Sequence, residues 1–278
     1  MKRREFIRLG AGAMASLPLM HLPSALAGHN QNKRPYKQLG VQLYTIREQL
    51  AVDYKVPLKT IASLGYKDLE FAGYFEHKPA EIKRYMDDLG LVSNSTHVRL
   101  PALQNDFDSI LETAHTMGQT YIVLPWLEEK DRDSLDDYKK HAELLNKRGE
   151  QAKSAGFQMA YHNHDFEFIP LDGQLPYDLL LERTDKELVK MQLDLYWAIK
   201  ANKDPVQYFK KAPGRFPLCH IKDRAADGSI TTVGKGSIDF DALFKYADLA
   251  GLQHFYVEHD DTDQPFQSLR SSYNYLYR

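Results

Sequence analysis

The chain has 278 residues, of which 43% are hydrophobic and 27% are charged, a composition that excludes extended disorder and fibrous repeats. The formal net charge of −2 argues against a nucleic-acid partner, because no excess of positive charge attracts a phosphate backbone. Cys219 is the single cysteine, which excludes an intramolecular disulfide and a cysteine-based zinc site. No apolar run reaches the roughly 18 residues of a membrane-spanning helix.

Residues 1–27 have the three parts of a secretory signal. A basic start with Arg3 and Arg4 precedes a mildly apolar stretch from Leu9 to Leu19, and Ala25-Leu26-Ala27 provides a small-residue cleavage site. The Arg-Arg-x-Phe-Ile pattern further resembles a twin-arginine signal, which exports proteins that are already folded. We therefore expect a periplasmic protein whose mature part, residues 28–278, is one domain. The alternative is a short amphipathic N-terminal helix.

A recurring unit follows along the rest of the chain: a helical stretch, a glycine and then a strand. Glycine marks these joints because it adopts the left-handed conformation that ends a helix without steric cost. The five joints lie at Gly65, Gly90, Gly118, Gly156 and Gly251. Helices are predicted over 55–64, 79–89, 106–117, 134–155 and 239–250.

Three further strands lack the glycine, at 39–45, 188–197 and 216–223, which makes eight strands centred near residues 42, 69, 94, 123, 160, 193, 219 and 256. Their near-continuous apolar cores are typical of parallel strands covered on both faces. Eight β/α units in about 250 residues predict an α/β fold of the closed (β/α)8 TIM-barrel type. An open doubly wound sheet lacks support, since no Gly-x-Gly-x-x-Gly follows the first strand.

Polar residues lie at the carboxyl ends of these strands, where barrel enzymes build their active sites. Three carboxylates and one imidazole from late strands, Glu167, Asp194, His220 and Glu258, predict a site for Mn²⁺, Mg²⁺, Co²⁺ or Zn²⁺. His162 and His164 would serve either as ligands in place of one of these or as proton carriers. Lys222 shares the face of His220 and is suited to stabilising negative charge on a substrate oxygen. The predicted catalytic residues are His162, His164, Glu258 and Lys222.

A second set of strand-end residues is predicted to contact substrate: Tyr44, Glu70, His97, Trp126, Trp197 and Asp260. Aromatic rings at these positions suit stacking on a sugar, although packing between barrel and helices explains each ring equally well.

Several of these segments together resemble the sugar phosphate isomerase/epimerase superfamily, the xylose isomerase-like barrels related to endonuclease IV. The resemblance covers roughly residues 38–278 and is carried by 161–168 (YHNHDFEF), 192–197 (QLDLYW), 220–223 (HIKD), 233–239 (VGKGSID) and 257–260 (VEHD). It implies that Glu, Asp, His and Glu from late strands hold a divalent metal, and Asp194, His220 and Glu258 match directly. The family's first Glu lies near Ala160 or Tyr161, where this chain has none. We expect Glu167, or else His162 or His164, to take its place.

The resemblance implies an enzyme that acts on a sugar or keto-sugar through an enediolate, and isomerisation or epimerisation is the first expectation. The His-x-His form is similar to inosose-dehydratase-like members and favours the alternative, β-elimination by a keto-glycoside lyase or dehydratase. A non-catalytic sugar-binding barrel is the third hypothesis. We expect a small carbohydrate as partner, and neither nucleic acid nor membrane. The tyrosine-rich tail, Ser268 to Arg278, is expected to cover the barrel bottom or a neighbouring subunit, which leaves a homo-oligomer open.

Overall fold

A computed structural model describes residues 34–278, so the predicted signal peptide lies outside the described residues. The strands are β1 Gly40–Gln42, β2 Asp68–Phe71, β3 Val92–His97, β4 Tyr121–Leu124, β5 Gln158–His162, β6 Val189–Asp194, β7 Leu218–Ile221, β8 Asp223–Arg224, β9 Ile230–Thr231 and β10 His254–Val257. Eight of them are parallel and close into a barrel in the order β1-β10-β7-β6-β5-β4-β3-β2, and β8 and β9 form a small separate hairpin. The predicted (β/α)8 barrel is thus confirmed, with a strand at each of the eight predicted positions.

Helices alternate with the barrel strands. They are α1 Arg47–Val52, α2 Lys55–Leu64, α3 Pro79–Asp88, α4 Leu100–Asn105, α5 Phe107–Met117, α6 Leu135–Ser154, α7 Pro176–Arg183, α8 Leu195–Lys200, α9 Pro205–Lys211, α10 Phe240–Phe244, α11 Ala247–Ala250 and α12 Pro265–Leu276. The predicted helix 55–64 is α2 itself, and the predictions over 79–89, 106–117 and 134–155 agree within one residue at each end.

Four predicted elements were wrong in extent. The strands 39–45 and 216–223 are observed as Gly40–Gln42 and Leu218–Ile221. The strand 188–197 ends at Asp194, because the Asp194 side chain accepts a hydrogen bond from the backbone N–H of Trp197 and caps α8. The helix 239–250 is split into α10 and α11 around Lys245 and Tyr246. None of these changes moves a strand, so the barrel and its registers are unaffected.

Alternation along the strands separates two apolar layers. The outward-facing side chains pack against the helices in one large core. A second, smaller cluster plugs the barrel interior and consists of Tyr121, Val123, Ala160, Leu218 and Tyr256. Asp68, at the start of β2, accepts hydrogen bonds from Asn94 and Tyr256 at this closed end. Inward-facing positions beyond this plug therefore point toward the open, carboxyl end of the barrel.

The C-terminal tail packs on its own barrel. Tyr66 donates a hydrogen bond to the carbonyl of Leu269, and Tyr36 donates one to the carbonyl of Leu276. Gly65 lies directly beneath the ring of Tyr273. Within residues 34–278 no helix is both long and apolar enough to cross a membrane.

Candidate active site

Three side chains from neighbouring strands meet at the mouth of the barrel. Asp194 ends β6, His220 lies in β7 and Glu258 directly follows β10, and their ligand atoms all lie within 4.8 Å of one another. All three are buried. Each lies two residues after an inward-facing residue of its strand, namely Gln192, Leu218 and Tyr256. Because side chains alternate between the two faces of a strand, all three point into the barrel. The sequence predicts that these three side chains converge together with Glu167, which is not part of this group.

Lys222 lies among the carboxylates of this cluster. Its Nζ is 2.8 Å from Glu258 Oε2, 3.2 Å from Asp194 Oδ2 and 2.7 Å from Asp260 Oδ1. Burial acts to lower the pKa of this ammonium, but the three carboxylates outweigh burial and raise the pKa well above its ordinary value. Lys222 therefore stays charged, and it holds the pKa of Glu258 well below its ordinary value against the effect of burial.

The His220 ring is held between carboxylates on both sides. Its Nδ1 lies 2.8 Å from Glu258 Oε2 and 3.7 Å from Asp194 Oδ2, while its Nε2 lies 2.5 Å from Glu70 Oε2. Burial opposes the charged form, yet Glu258 and Glu70 together raise the pKa of His220 to about 10. The ring orientation is thus fixed, with Nδ1 toward the cluster and Nε2 toward the barrel interior.

Glu70 lies below the cluster and has no exposed surface. Gln42 Nε2 donates to its Oε2 at 2.8 Å, and Ser95 Oγ and Gln192 Nε2 donate to its Oε1. Protein donors therefore occupy both carboxylate oxygens of Glu70, and its contact with substrate stays a prediction. Burial acts to raise the pKa of Glu70, but His97 and His220 lower it to about 2.

His97, also predicted to bind substrate, belongs to the same lower layer. Its Nε2 lies 2.8 Å from Gln192 Oε1, and its Nδ1 lies 3.2 Å from Gln42 Nε2. One ring nitrogen from each of His97, His162 and His220 lies within 4.8 Å of the other two. Because His162 ends β5, His97 lies between the Glu70 layer and that strand.

His162, the last residue of β5, faces inward because it lies two residues after Ala160 of the interior plug. Its ring centroid is 4.4 Å from that of His220 and 5.0 Å from that of His164. Burial lowers the pKa of His162 and of His164 well below the ordinary histidine value. Two neutral imidazoles therefore line the strand-five side of the site.

Glu167 is not brought into the carboxylate cluster. It lies in a short 3₁₀ turn, Phe166–Phe168, where its Oε1 accepts a hydrogen bond of 2.6 Å from the Tyr161 hydroxyl. Its Oε2 accepts one of 2.8 Å from the backbone N–H of His164. Burial raises the pKa of the Glu167 carboxyl to about 7. In this arrangement Glu167 positions the segment that carries His164.

Aromatic rings form one wall of the mouth. The rings of Trp126 and His164 meet edge to face with centroids 4.6 Å apart, and the centroids of His164 and Trp197 are 5.3 Å apart. Lys222 Nζ lies 5.4 Å from the centroid of the Trp197 ring. Tyr44 is 39% exposed and stacks under the guanidinium of Arg47, which also bonds the Asp260 carbonyl. The structure thus places Trp126 and Trp197 beside the histidines and Tyr44 on the Asp260 side.

Buried polar atoms without a hydrogen-bond partner concentrate here. Among the residues that the structure describes, five of the nine such atoms lie in this site: His162 Nδ1, His164 Nδ1, Asp194 Oδ2, Trp197 Nε1 and Asp260 Oδ1. The two carboxylate oxygens lie near Lys222 Nζ without hydrogen-bond geometry. Since buried polar atoms normally have partners, such a concentration indicates that the site binds something polar. Oxygen and imidazole donors so arranged suit a divalent cation.

Four residues of the site were not found from the sequence. Glu70 accepts hydrogen bonds from three of them, Gln42, Ser95 and Gln192. The fourth, Asn163, accepts a hydrogen bond of 3.0 Å from the backbone N–H of Asp194 through its side-chain oxygen and so links the end of β5 to β6. Gln192 has a usable signal, since it lies two residues before Asp194 and so faces inward. Gln42 and Ser95 are neutral residues in short strands, and nothing in the sequence separates them from ordinary strand-end polar residues.

Comparisons with known proteins identify the family to which this barrel belongs. A family model described as xylose isomerase-like TIM barrel matches residues 58–277. An inosose dehydratase of Clostridium beijerinckii is 24% identical over 208 residues, which are 62% of this chain and 69% of that protein. An inosose dehydratase of Clostridium perfringens is 28% identical over 131 residues, and there the match spans only 43% of the relative.

Solved structures show the same barrel. A sugar phosphate isomerase/epimerase from Parabacteroides distasonis is 30% identical with a TM-score of 0.72, covering 85% of this chain and 92% of that one. The structure of the IOLI protein with a bound zinc atom has a TM-score of 0.67, covers 86% of this chain and 97% of that one, and at 17% identity shares the fold.

Proposed function

The chain belongs to the xylose isomerase-like TIM barrel family, a family of sugar-processing enzymes, and from this premise we propose that it is a divalent-metal-dependent lyase. It would remove a proton beside the carbonyl of a keto-sugar and expel a leaving group from the next carbon, as the inosose dehydratases by their name remove water. The convergence of Asp194, His220 and Glu258 carries the proposal.

The proposed metal ligands are Asp194 Oδ2, His220 Nδ1 and Glu258 Oε2. His162 lies on the strand where the family resemblance put a carboxylate, and its Nδ1 has no partner among the described residues. Its ligand atoms group with those of His97 and His220 rather than with Asp194 and Glu258, so it is proposed to lie beside the cation. A bound divalent cation supplies positive charge that makes the C–H bond beside a sugar carbonyl more acidic. The residues fit Mn²⁺, Mg²⁺, Co²⁺ and Zn²⁺ alike.

His164 is the proposed proton carrier. Its imidazole is neutral, and its Nδ1 is buried without a partner beside Trp126 and Trp197. It would accept the proton as the C–H bond breaks and return it to the leaving oxygen as the C–O bond breaks, so that the elimination is proton-neutral. The backbone contact from Glu167 holds the segment that presents this ring.

Lys222 and the aromatic wall are proposed to bind the substrate. The Lys222 ammonium contacts Asp194 Oδ2 and Glu258 Oε2, the oxygens that would bind the cation, and also Asp260 Oδ1 at 2.7 Å. With the cation bound it would stay paired with Asp260, beside the cation, where it is suited to stabilising negative charge that develops on the carbonyl oxygen. Trp126 and Trp197 provide flat apolar surface for a sugar ring. The Trp197 Nε1 donor has no partner within residues 34–278 and is available to a sugar hydroxyl.

Isomerisation or epimerisation is the second candidate, and the 30% identical structure from Parabacteroides distasonis favours it. Both reactions begin with the same proton removal. Elimination is put first because a two-carboxylate proton transfer needs an acid on the strand-five side, and Glu167 is bonded to Tyr161 and to the His164 backbone there. Histidines occupy that side of the site instead.

A product analysis in D₂O tests the proposal. The zinc-loaded or manganese-loaded protein is incubated with an inosose and with a 4-nitrophenyl 3-keto-glucoside, and NMR follows the products. We expect loss of water or of nitrophenol, and His164→Gln lowers that rate by at least about 100-fold. The control is His115→Gln, an exposed histidine of α5, which leaves the rate unchanged.

The other outcomes of this experiment are equally distinct. A rearranged sugar that carries solvent deuterium but has lost no group would favour the isomerase. Binding of metal and sugar with no turnover of either substrate would favour a sugar-binding barrel and contradict the lyase proposal.

A further inference from the structure

We propose that Glu70 is a positioning residue that selects the ring nitrogen with which His220 faces the metal site. The inference rests on the proposed metal site and goes beyond it, since Glu70 is not one of the proposed metal ligands. It assigns a role to a carboxylate that the mechanism does not use.

The first observation is the position of Glu70 on the far side of the His220 ring. Glu70 Oε2 lies 2.5 Å from Nε2, and the opposite nitrogen, Nδ1, lies 2.8 Å from Glu258 Oε2. Nδ1 shares its proton with Glu258, and a bound cation would displace that proton. A carboxylate that accepts from Nε2 then keeps the remaining proton on Nε2, so the Nδ1 lone pair is left for the cation. Without Glu70, no carboxylate accepts from Nε2, and this contact no longer favours Nδ1 over Nε2 as the nitrogen that faces the cation.

The second observation is that Glu70 is itself fixed. Gln42, Ser95 and Gln192 donate to its two oxygens and come from strands β1, β3 and β6. Glu70 itself lies in β2 and His220 in β7, so residues from five of the eight barrel strands form this network. The side chain is fully buried, so water does not compete for these bonds.

Metal affinity measures this role directly. We expect Glu70→Gln to weaken Zn²⁺ binding by about 10- to 100-fold, the usual effect of removing the partner of a metal-binding histidine. The measurement is competition of Zn²⁺ alone against a chromophoric chelator, which does not require turnover. A folded Glu70→Gln variant that binds Zn²⁺ within about threefold of the wild type would overturn the inference.

Asp68→Asn is the matched control. Asp68 lies two residues earlier on β2, is also buried and is also bonded on its carboxylate, to Asn94 and Tyr256 at the closed end of the barrel. We expect this variant to lose stability while its Zn²⁺ affinity stays within about twofold of the wild type. A comparable loss of affinity in both variants would show a general effect of disturbing the barrel interior and would contradict a specific role for Glu70.

Should Glu70→Gln fail to fold, Ser95→Ala takes its place, because it removes one donor from Glu70 and leaves the carboxylate present. We expect a weakening of at least threefold, and unchanged affinity would overturn the inference. Failure of the proposed function gives a different result, since the wild-type protein itself would then not bind Zn²⁺.

Discussion

At the scale of single residues, Glu167 and Glu258 are both buried carboxylates that follow a barrel strand, but their pKa values shift in opposite directions. Glu258 is surrounded by Lys222 and His220, whereas Glu167 has only the Tyr161 hydroxyl and a backbone N–H as partners. Burial therefore raises the pKa of Glu167 to about 7, and the folded protein keeps a proton that the unfolded chain loses near pH 4.5.

This difference predicts a pH dependence of stability. Between about pH 4.5 and 7 the folded state binds one proton more than the unfolded state at this residue, so the free energy of unfolding falls as pH rises, by up to about 1.4 kcal/mol per pH unit. Glu167→Gln removes this contribution. We expect the difference in unfolding free energy between the wild type and the variant to change with pH across this window, as measured by urea denaturation.

The control for that series is Glu143→Gln, an exposed position on α6, for which the difference stays constant. The same Glu167→Gln protein also tests the alternative role of this carboxylate. If Glu167 reached the metal, as the sequence suggested, the variant would bind Zn²⁺ more weakly; we expect unchanged affinity.

The sequence identified the titratable residues of this site better than their partners. Asp194, His220, Lys222 and Glu258 follow from strand-end position alone. The roles of Glu70 and Glu167 did not follow, because each is decided by hydrogen bonds to side chains or turns distant in the sequence, such as Gln192 for Glu70. Position on a strand end predicts which side chains reach the mouth of the barrel but not which atoms already have partners there.

At the scale of helices and strands, glycine was the most reliable signal. All five predicted joints, at Gly65, Gly90, Gly118, Gly156 and Gly251, have positive φ. By contrast, the strand predicted over 188–197 stops where the Asp194 side chain caps α8, and the predicted helix 239–250 breaks at Lys245 and Tyr246; periodicity reports neither feature. Four of the five predicted helices that end at a glycine were therefore located within one residue at each end, and the fifth, 239–250, ends at Gly251 but is broken in its middle.

Two of these glycines predict different losses of stability. Gly156 has φ +87 and open space around it, so Gly156→Ala costs only the left-handed backbone strain, about 1–2 kcal/mol. At Gly65, φ is +105 and an added Cβ would meet the Tyr273 ring at 2.3 Å. We expect Gly65→Ala to cost a further 1–3 kcal/mol or so by overpacking α12 against the barrel.

Urea denaturation of the two glycine variants checks this ranking, with each serving as the reference for the other. Equal losses would mean that α12 shifts freely and does not pack tightly on α2. The proposed metal site lies at the opposite end of the strands, so neither variant is expected to change Zn²⁺ affinity.

At the scale of the whole molecule, the barrel has two levels of buried polar residues above a closed apolar base. The apolar plug around Tyr121 and Tyr256 fills the bottom, the Glu70 network occupies the middle, and the cluster of Asp194, His220 and Glu258 opens at the top. The β/α rhythm of the sequence predicted the overall architecture of the barrel. It did not predict the middle level, the Glu70 network, to which residues from distant parts of the described chain contribute. That level consists of contacts between strands that are far apart in the sequence.

The central claim is that the uppermost cluster binds one divalent cation. Anomalous diffraction at the zinc edge from a crystal equilibrated with Zn²⁺ tests it most directly. We predict one strong peak bounded by Asp194, His220 Nδ1 and Glu258 at about 2.0–2.2 Å from the oxygen and nitrogen ligands. A zinc-saturated crystal without density at that position, with Lys222 still among the carboxylates, would contradict the account.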